Sequence, residues 1–104
     1  MDELAVNKLC DELSALIEHK PGVNPDALSR ARAAIESLHS TRSGDFINEK
    51  LVGLAYGFKQ WFSGGKWNRQ NDGGRLVKSY LEDDLICVRA AMWRKLRDNG
   101  GSQN

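Results

Sequence analysis

The chain has 104 residues, with 15 Lys and Arg against 14 Asp and Glu, a formal net charge of +1 and 40% hydrophobic residues. That is the size of one domain with enough apolar content for a packed core, and it excludes two folded domains and global disorder. Near-neutral charge also excludes a polybasic protein held on nucleic acid or membrane by its bulk field alone.

Met1-Asp2-Glu3-Leu4 is acidic where a targeting segment is basic. No apolar run approaches the about 18 residues that span a bilayer. The expectation is a complete small cytoplasmic protein that does not enter a membrane. From Leu4 to Ile17 the apolar residues Val6, Leu9/Cys10, Leu13 and Leu16/Ile17 recur at intervals of three and four, which predicts a first helix. Lys20-Pro21-Gly22 ends it. Asn24-Pro25-Asp26 then supplies an N-cap, a proline at the first helical position and an acid in the first turn. A second helix is predicted from Pro25 to about Leu38, burying Leu28, Ala31, Ile35 and Leu38.

After the polar Ser40–Gly44 link, Asp45 is placed to cap a third helix with the stripe Ile47, Leu51, Leu54/Ala55, Phe58 and Trp61/Phe62. Gly53 and Gly57 lie four apart inside it, and each costs about 1 kcal/mol against Ala in a helix interior. Close backbone packing is the expected compensation, because Lys50, Lys59 and Gln60 make the helix too polar for a lipid-embedded pair. A fourth helix is predicted over 75–97, with Val77, Tyr80/Leu81, Leu85, Val88, Met92 and Leu96 on one face. Ile86, Ala90 and Trp93 fall on an adjoining face and are the expected oligomer contact if the protein is a homodimer rather than a monomer. Asn99-Gly100-Gly101 is a stop signal, so the expectation is one helical domain over 1–98 and a frayed tail over 99–104. No run alternates as a strand does. The predicted architecture is an all-α, mostly antiparallel four-helix bundle.

The connection Gly64–Gly74 is long for a bundle, where about 2 to 8 residues is usual. It is polar except for Trp67, which stands between Lys66 and Arg69, and glycine pairs at both ends suit a hinged segment. Trp and Arg are frequent interface anchors, and also stack on bases and contact phosphates. Lys66, Trp67, Arg69, Arg75 and Lys78 are therefore the candidate partner-binding set. Charge is asymmetric: residues 1–52 carry net −3 and residues 53–104 net +4. The simplest consequence is a set of favourable rims between the two halves of the bundle. The sharper one is a basic end near Lys78 together with Arg89, Arg94, Lys95 and Arg97 on the last helix, interrupted by Glu82-Asp83-Asp84.

Catalytic groups are sparse. Cys10 and Cys87 sit among apolar neighbours, which suits two reduced core thiols rather than a disulfide or a nucleophile. With His19 and His39 they form no CxxC or HxxxH spacing for a metal, and the two histidines are placed as cations at helix C-termini. The all-α nucleotide pyrophosphohydrolases hold magnesium on carboxylates of ExxE and ExxD spacing, a pattern absent here, since Leu85 follows Glu82 by three and Ala15 follows Glu12 by three. Gly64-Gly65-Lys66 lacks the spacing and hydroxyl of a phosphate loop. The expectation is a non-enzymatic protein without cofactor or metal. Its expected role is a protein-binding regulator or inhibitor of a larger complex, a role also found among phage and mobile-element proteins. The alternative is nucleic-acid binding through the same basic and aromatic groups.

Overall fold

The computed structural model describes residues 3–39, 45–63 and 72–103, the last of these with side chains over 77–98. They form four helices: α1 (Glu3–Ile17), α2 (Pro25–His39), α3 (Asp45–Trp61) and α4 (Asp72–Gln103). Among the described residues there is no strand, and no helix is long and apolar enough to cross a membrane. Each helix packs on its chain neighbour where both are described, and α4 returns to α1, so the four close into a ring. The cross-links fix their directions. Along α4, Lys78, Arg89 and Trp93 meet Glu18, just past the end of α1, and Asp11 and Asn7 within it, in reverse order. Likewise Gly57 and Gly53 of α3 face Leu81 and Asp84 of α4. The result is the expected antiparallel four-helix bundle.

Its core is the set of stripes read from the periodicity. Val6, Cys10, Leu13, Leu16 and Ile17 of α1 meet Ala31, Ile35 and Leu38 of α2, with Ile47, Leu51, Leu54, Phe58, Trp61 and Phe62 of α3 and Val77, Leu81, Leu85, Val88 and Met92 of α4. Phe58 and Phe62 stack one turn apart, with centroids 6.2 Å apart and planes 13° from parallel. Leu28 is only half-buried, because Ala27 takes the inward position at the start of α2. Tyr80 is 59% exposed and leaves the stripe to Leu81. Cys87 is half-buried, so Cys10 alone behaves as a core thiol. The one-residue difference in register decides each of these cases.

The turn between α1 and α2 is tied to the end of α3. Asn24 caps α2 as its side-chain oxygen accepts from the Ala27 N–H at 3.1 Å. The Gly22 and Asn24 N–H groups donate to the carbonyls of Trp61 (2.9 Å) and Phe62 (3.1 Å), and the Trp61 indole N–H donates to the His19 carbonyl (3.2 Å). Gly22 has φ +140°, a region that glycine enters without a side-chain clash. The Gly22 and Asn24 N–H groups thus give the C-terminus of α3 donors for carbonyls that a helix end otherwise leaves to solvent.

Two boundaries of α4 differ from expectation. It starts at Asp72 rather than Arg75, taking Gly73 and Gly74 into its first turn, and it continues through Asn99-Gly100-Gly101 to Gln103. Glycines stop a helix when one of them turns into the left-handed region, and among the described residues only Gly22 has a positive φ. The stripe from Val77 to Leu96 is long enough to carry the helix past weak positions at both ends. Thus α4 has 32 residues, about 48 Å at 1.5 Å per residue, against 15 for α1, and it sets the 50 Å length of the molecule. The tail expected over 99–104 is helical as far as Gln103. The cap expected from the Asp45 side chain lies outside the described residues.

The contact between α3 and α4 is the most extensive in the bundle. A methyl at Gly57 would lie 2.6 Å from Leu81 Cδ2 and 3.1 Å from its Cγ, and one at Gly53 would lie 2.7 Å from Asp84 Oδ2. The two glycines thus make room for Leu81 and for the Asp84 carboxylate, and at Gly57 close packing is what offsets the cost in helix propensity. Lys50 lies 3.7 Å from Asp84 and 5.6 Å over the Phe46 ring, closing the edge of this seam. Burial pushes the Asp84 carboxyl above its ordinary value of 3.8, against the pull of Lys50.

The seam makes two stability tests. Gly57→Ala is expected to destabilise by about 1–2 kcal/mol, since Leu81 is 1% exposed and cannot swing away, and the overpacking exceeds the gain in helix propensity. Gly53→Ala is expected to be neutral or stabilising, because the Asp84 carboxylate ends a flexible, partly exposed side chain; urea unfolding of the pair checks the contrast. For Asp84 the raised value means that its contribution to stability is present below 3.8 and is lost as pH rises through the folded-state value. Wild type is therefore expected to lose stability relative to Asp84→Asn across that window and to keep a constant deficit above it, as read from denaturation midpoints over a pH series.

Candidate functional site

Of the partner-binding set, Lys66, Trp67 and Arg69 lie outside the described residues, and Arg75 stands in the first turns of α4 without a described side chain. Lys78 is described. It extends across to α1, where its Nζ lies 3.4 Å from Glu18 Oε2. Arg89, expected as part of a basic face, likewise turns inward to Asp11, with Nη2 to Oδ1 at 2.8 Å. Both pairs are partly exposed and of small energetic weight. What they do is align α1 with α4 and withdraw two cations from the basic surface. This is the complementarity that the charge asymmetry between the halves of the chain implied.

Ile86, Ala90 and Trp93 do come together. They line one wall of a groove of about 340 Å³ between α4 and α1, whose other wall is Ser14, Ile17 and Glu18. Ile86 is 67% exposed, Ala90 is exposed, and Trp93 is half-buried with its indole N–H donating to Asn7 Oδ1 at 3.0 Å. A tryptophan held in this way keeps one ring face pinned at the surface. Sequence reading placed these three on one face, and it missed Asn7, whose role depends on a contact 86 residues away along the chain.

A second apolar surface lies on the opposite side of the ring. Val52 and Tyr56, one turn apart on α3, are 67% and 64% exposed. Val52 also borders a groove of about 290 Å³ between α2 and α3, formed with Ile35, Glu36, His39, Leu51 and Ala55. Single exposed apolar residues are ordinary, whereas two neighbours beside an apolar groove form a patch. Both were visible in the sequence as apolar positions off the α3 stripe. His39, the last residue of α2, stands at the mouth of this groove.

The Cys10 thiol does not lie in a reactive setting. Cys10 is fully buried, and burial pushes its thiol above the ordinary 9.0 against the pull of the nearby Arg89, which keeps it protonated and a poor nucleophile at neutral pH. Among the described residues no three His, Cys, Asp or Glu side chains are grouped to hold a metal ion. The acidic runs do not converge: Asp11 is bound to Arg89 on the α1 side of α4, and Asp84 to Lys50 on the α3 side. What the described surface offers is shape and apolar contact on two faces. Compared with protein-family models, with curated proteins and with solved structures, the chain has no match in any of the three.

Proposed function

We propose that the protein is a small, non-enzymatic regulator or inhibitor that acts in the cytoplasm by occupying a surface of a larger protein. The observation that carries this reading is the patch of Val52 and Tyr56 beside the α2/α3 groove. A folded domain has no internal use for two large side chains more than half exposed at adjacent positions of a helix whose inner stripe is complete. Burial of such a patch against a partner contributes about 25 cal/mol per Å² of apolar surface removed from water. Lys66, Trp67 and Arg69, in the stretch between α3 and α4, supply a second contact in this reading, with Arg75 steering the encounter by charge.

The described cations favour a protein partner over nucleic acid. Lys78 and Arg89 are committed to Glu18 and Asp11, so a phosphate backbone meets fewer free charges along α4 than the sequence suggests.

The test is affinity capture from source cells with nuclease-treated and untreated lysate, using wild type, a Val52→Ser/Tyr56→Ser variant and a Trp67→Ala/Arg69→Ala variant. A protein captured in both lysates and weakened by about 2 kcal/mol or more in the first variant is the expected result. Equal weakening in the second variant adds the α3–α4 connection to the contact. Material that vanishes with nuclease, or a protein partner indifferent to both variants, contradicts the reading.

A further inference from the structure

We infer that the outer face of α4 is a self-complementary seam on which a second copy of this chain docks antiparallel. This surface is distinct from the α2/α3 patch, and the inference does not depend on the function proposed for that patch. Ser79, Asp83, Ile86, Ala90, Trp93 and Arg97 follow one another at alternating intervals of four and three, so they lie along a single line of the helix. All six are exposed except Trp93, which is half-buried and pinned by Asn7. The line has an apolar middle, Ile86, Ala90 and Trp93, and charged ends of opposite sign.

Those signs select the partner. Glu82 and Asp83 flank the middle on one side, and Arg94 and Arg97 flank it on the other, about 18 Å away along the helix. Among the described residues, none of the ion pairs within the subunit engages these four groups. A parallel copy would set acid against acid and base against base. An antiparallel copy, related by a two-fold axis crossing α4 at Val88, sets Ile86 against Ala90 of the second copy and Asp83 against its Trp93. Ser79 then lies opposite Arg97, and Glu82 opposite Arg94.

Every seam position maps onto a seam position, which is the condition for an isologous interface. Ala90 is small enough for Ile86 of the other copy to approach, and the groove between α4 and α1 extends the apolar surface beside it. The charge pattern, the spacing and the two-fold register agree on one occupant.

The experiment is a charge swap read by sedimentation equilibrium at low salt, on the full chain, with far-UV circular dichroism as a control for folding. Wild type is expected to be dimeric at sub-millimolar concentration. The all-basic variant Glu82→Lys/Asp83→Lys and the all-acidic variant Arg94→Glu/Arg97→Glu should each have a dimer dissociation constant raised by about tenfold or more. An equimolar mixture of the two should restore a dimer, since each then meets opposite charge at both ends of the seam. Ile86→Asp, also at an exposed position, should be monomeric with unchanged helix content. A monomeric wild type, reversed variants that dimerise as wild type does, or a mixture that stays monomeric would overturn the inference.

Discussion

The most extensive contact among the described residues is the one that α3 and α4 make across Gly57 and Gly53, and the placement of the other elements depends on it. Leu81 enters the space left by one missing side chain and the Asp84 carboxylate the space left by the other. With α4 drawn this near, Val77, Leu81, Leu85, Val88 and Met92 all reach the core from a single helix. A more distant α4 would leave the inner stripe of α3 facing a gap. The cost of two glycines in a helix interior, about 1 kcal/mol each, is therefore set against a whole interface rather than a single contact.

From that contact the rest of the ring follows. Once α4 is seated on α3, its next flank meets α1, and the pairs Lys78 with Glu18, Arg89 with Asp11 and Trp93 with Asn7 fix the alignment of those two helices. The α1–α2 turn closes the end through Gly22, Asn24 and Trp61, so the C-terminus of α3 is held from two sides. Among the described residues, two faces that border an apolar groove remain uncovered, and they lie on opposite edges of the ring. One is the outer line of α4; the other is the α2/α3 edge with Val52 and Tyr56. The bundle thus carries an apolar patch on each of two opposite faces.

Much of this was legible in the sequence, because helix identity and inward register follow from apolar spacing. The stripes of α1 and α3, the Asn24-Pro25 start of α2 and the meaning of Gly53 and Gly57 all rest on local chemistry. The limits of α4 did not, since Gly73 and Gly74 read as a hinge and Gly100 and Gly101 as a stop, while the long apolar stripe between them holds the helix together. Pairings across the bundle, such as Trp93 with Asn7, were out of reach because nothing local distinguishes that asparagine. Arg89 illustrates the same point from the other side: counted as a free cation by its position, it is spoken for by an acid on α1. Lys66, Trp67 and Arg69, the centre of the function expected from the sequence, lie outside the described residues.

The most direct test of the account is the distance across the α3/α4 seam in solution. In a 13C-edited NMR spectrum of the wild-type protein, strong nuclear Overhauser contacts between the Gly57 α-protons and the Leu81 methyl groups are the predicted result, with contacts from the Gly53 α-protons to the Asp84 β-protons. Their absence, with Leu81 methyls in contact with other α3 side chains instead, would contradict the close approach on which this description of the protein is built.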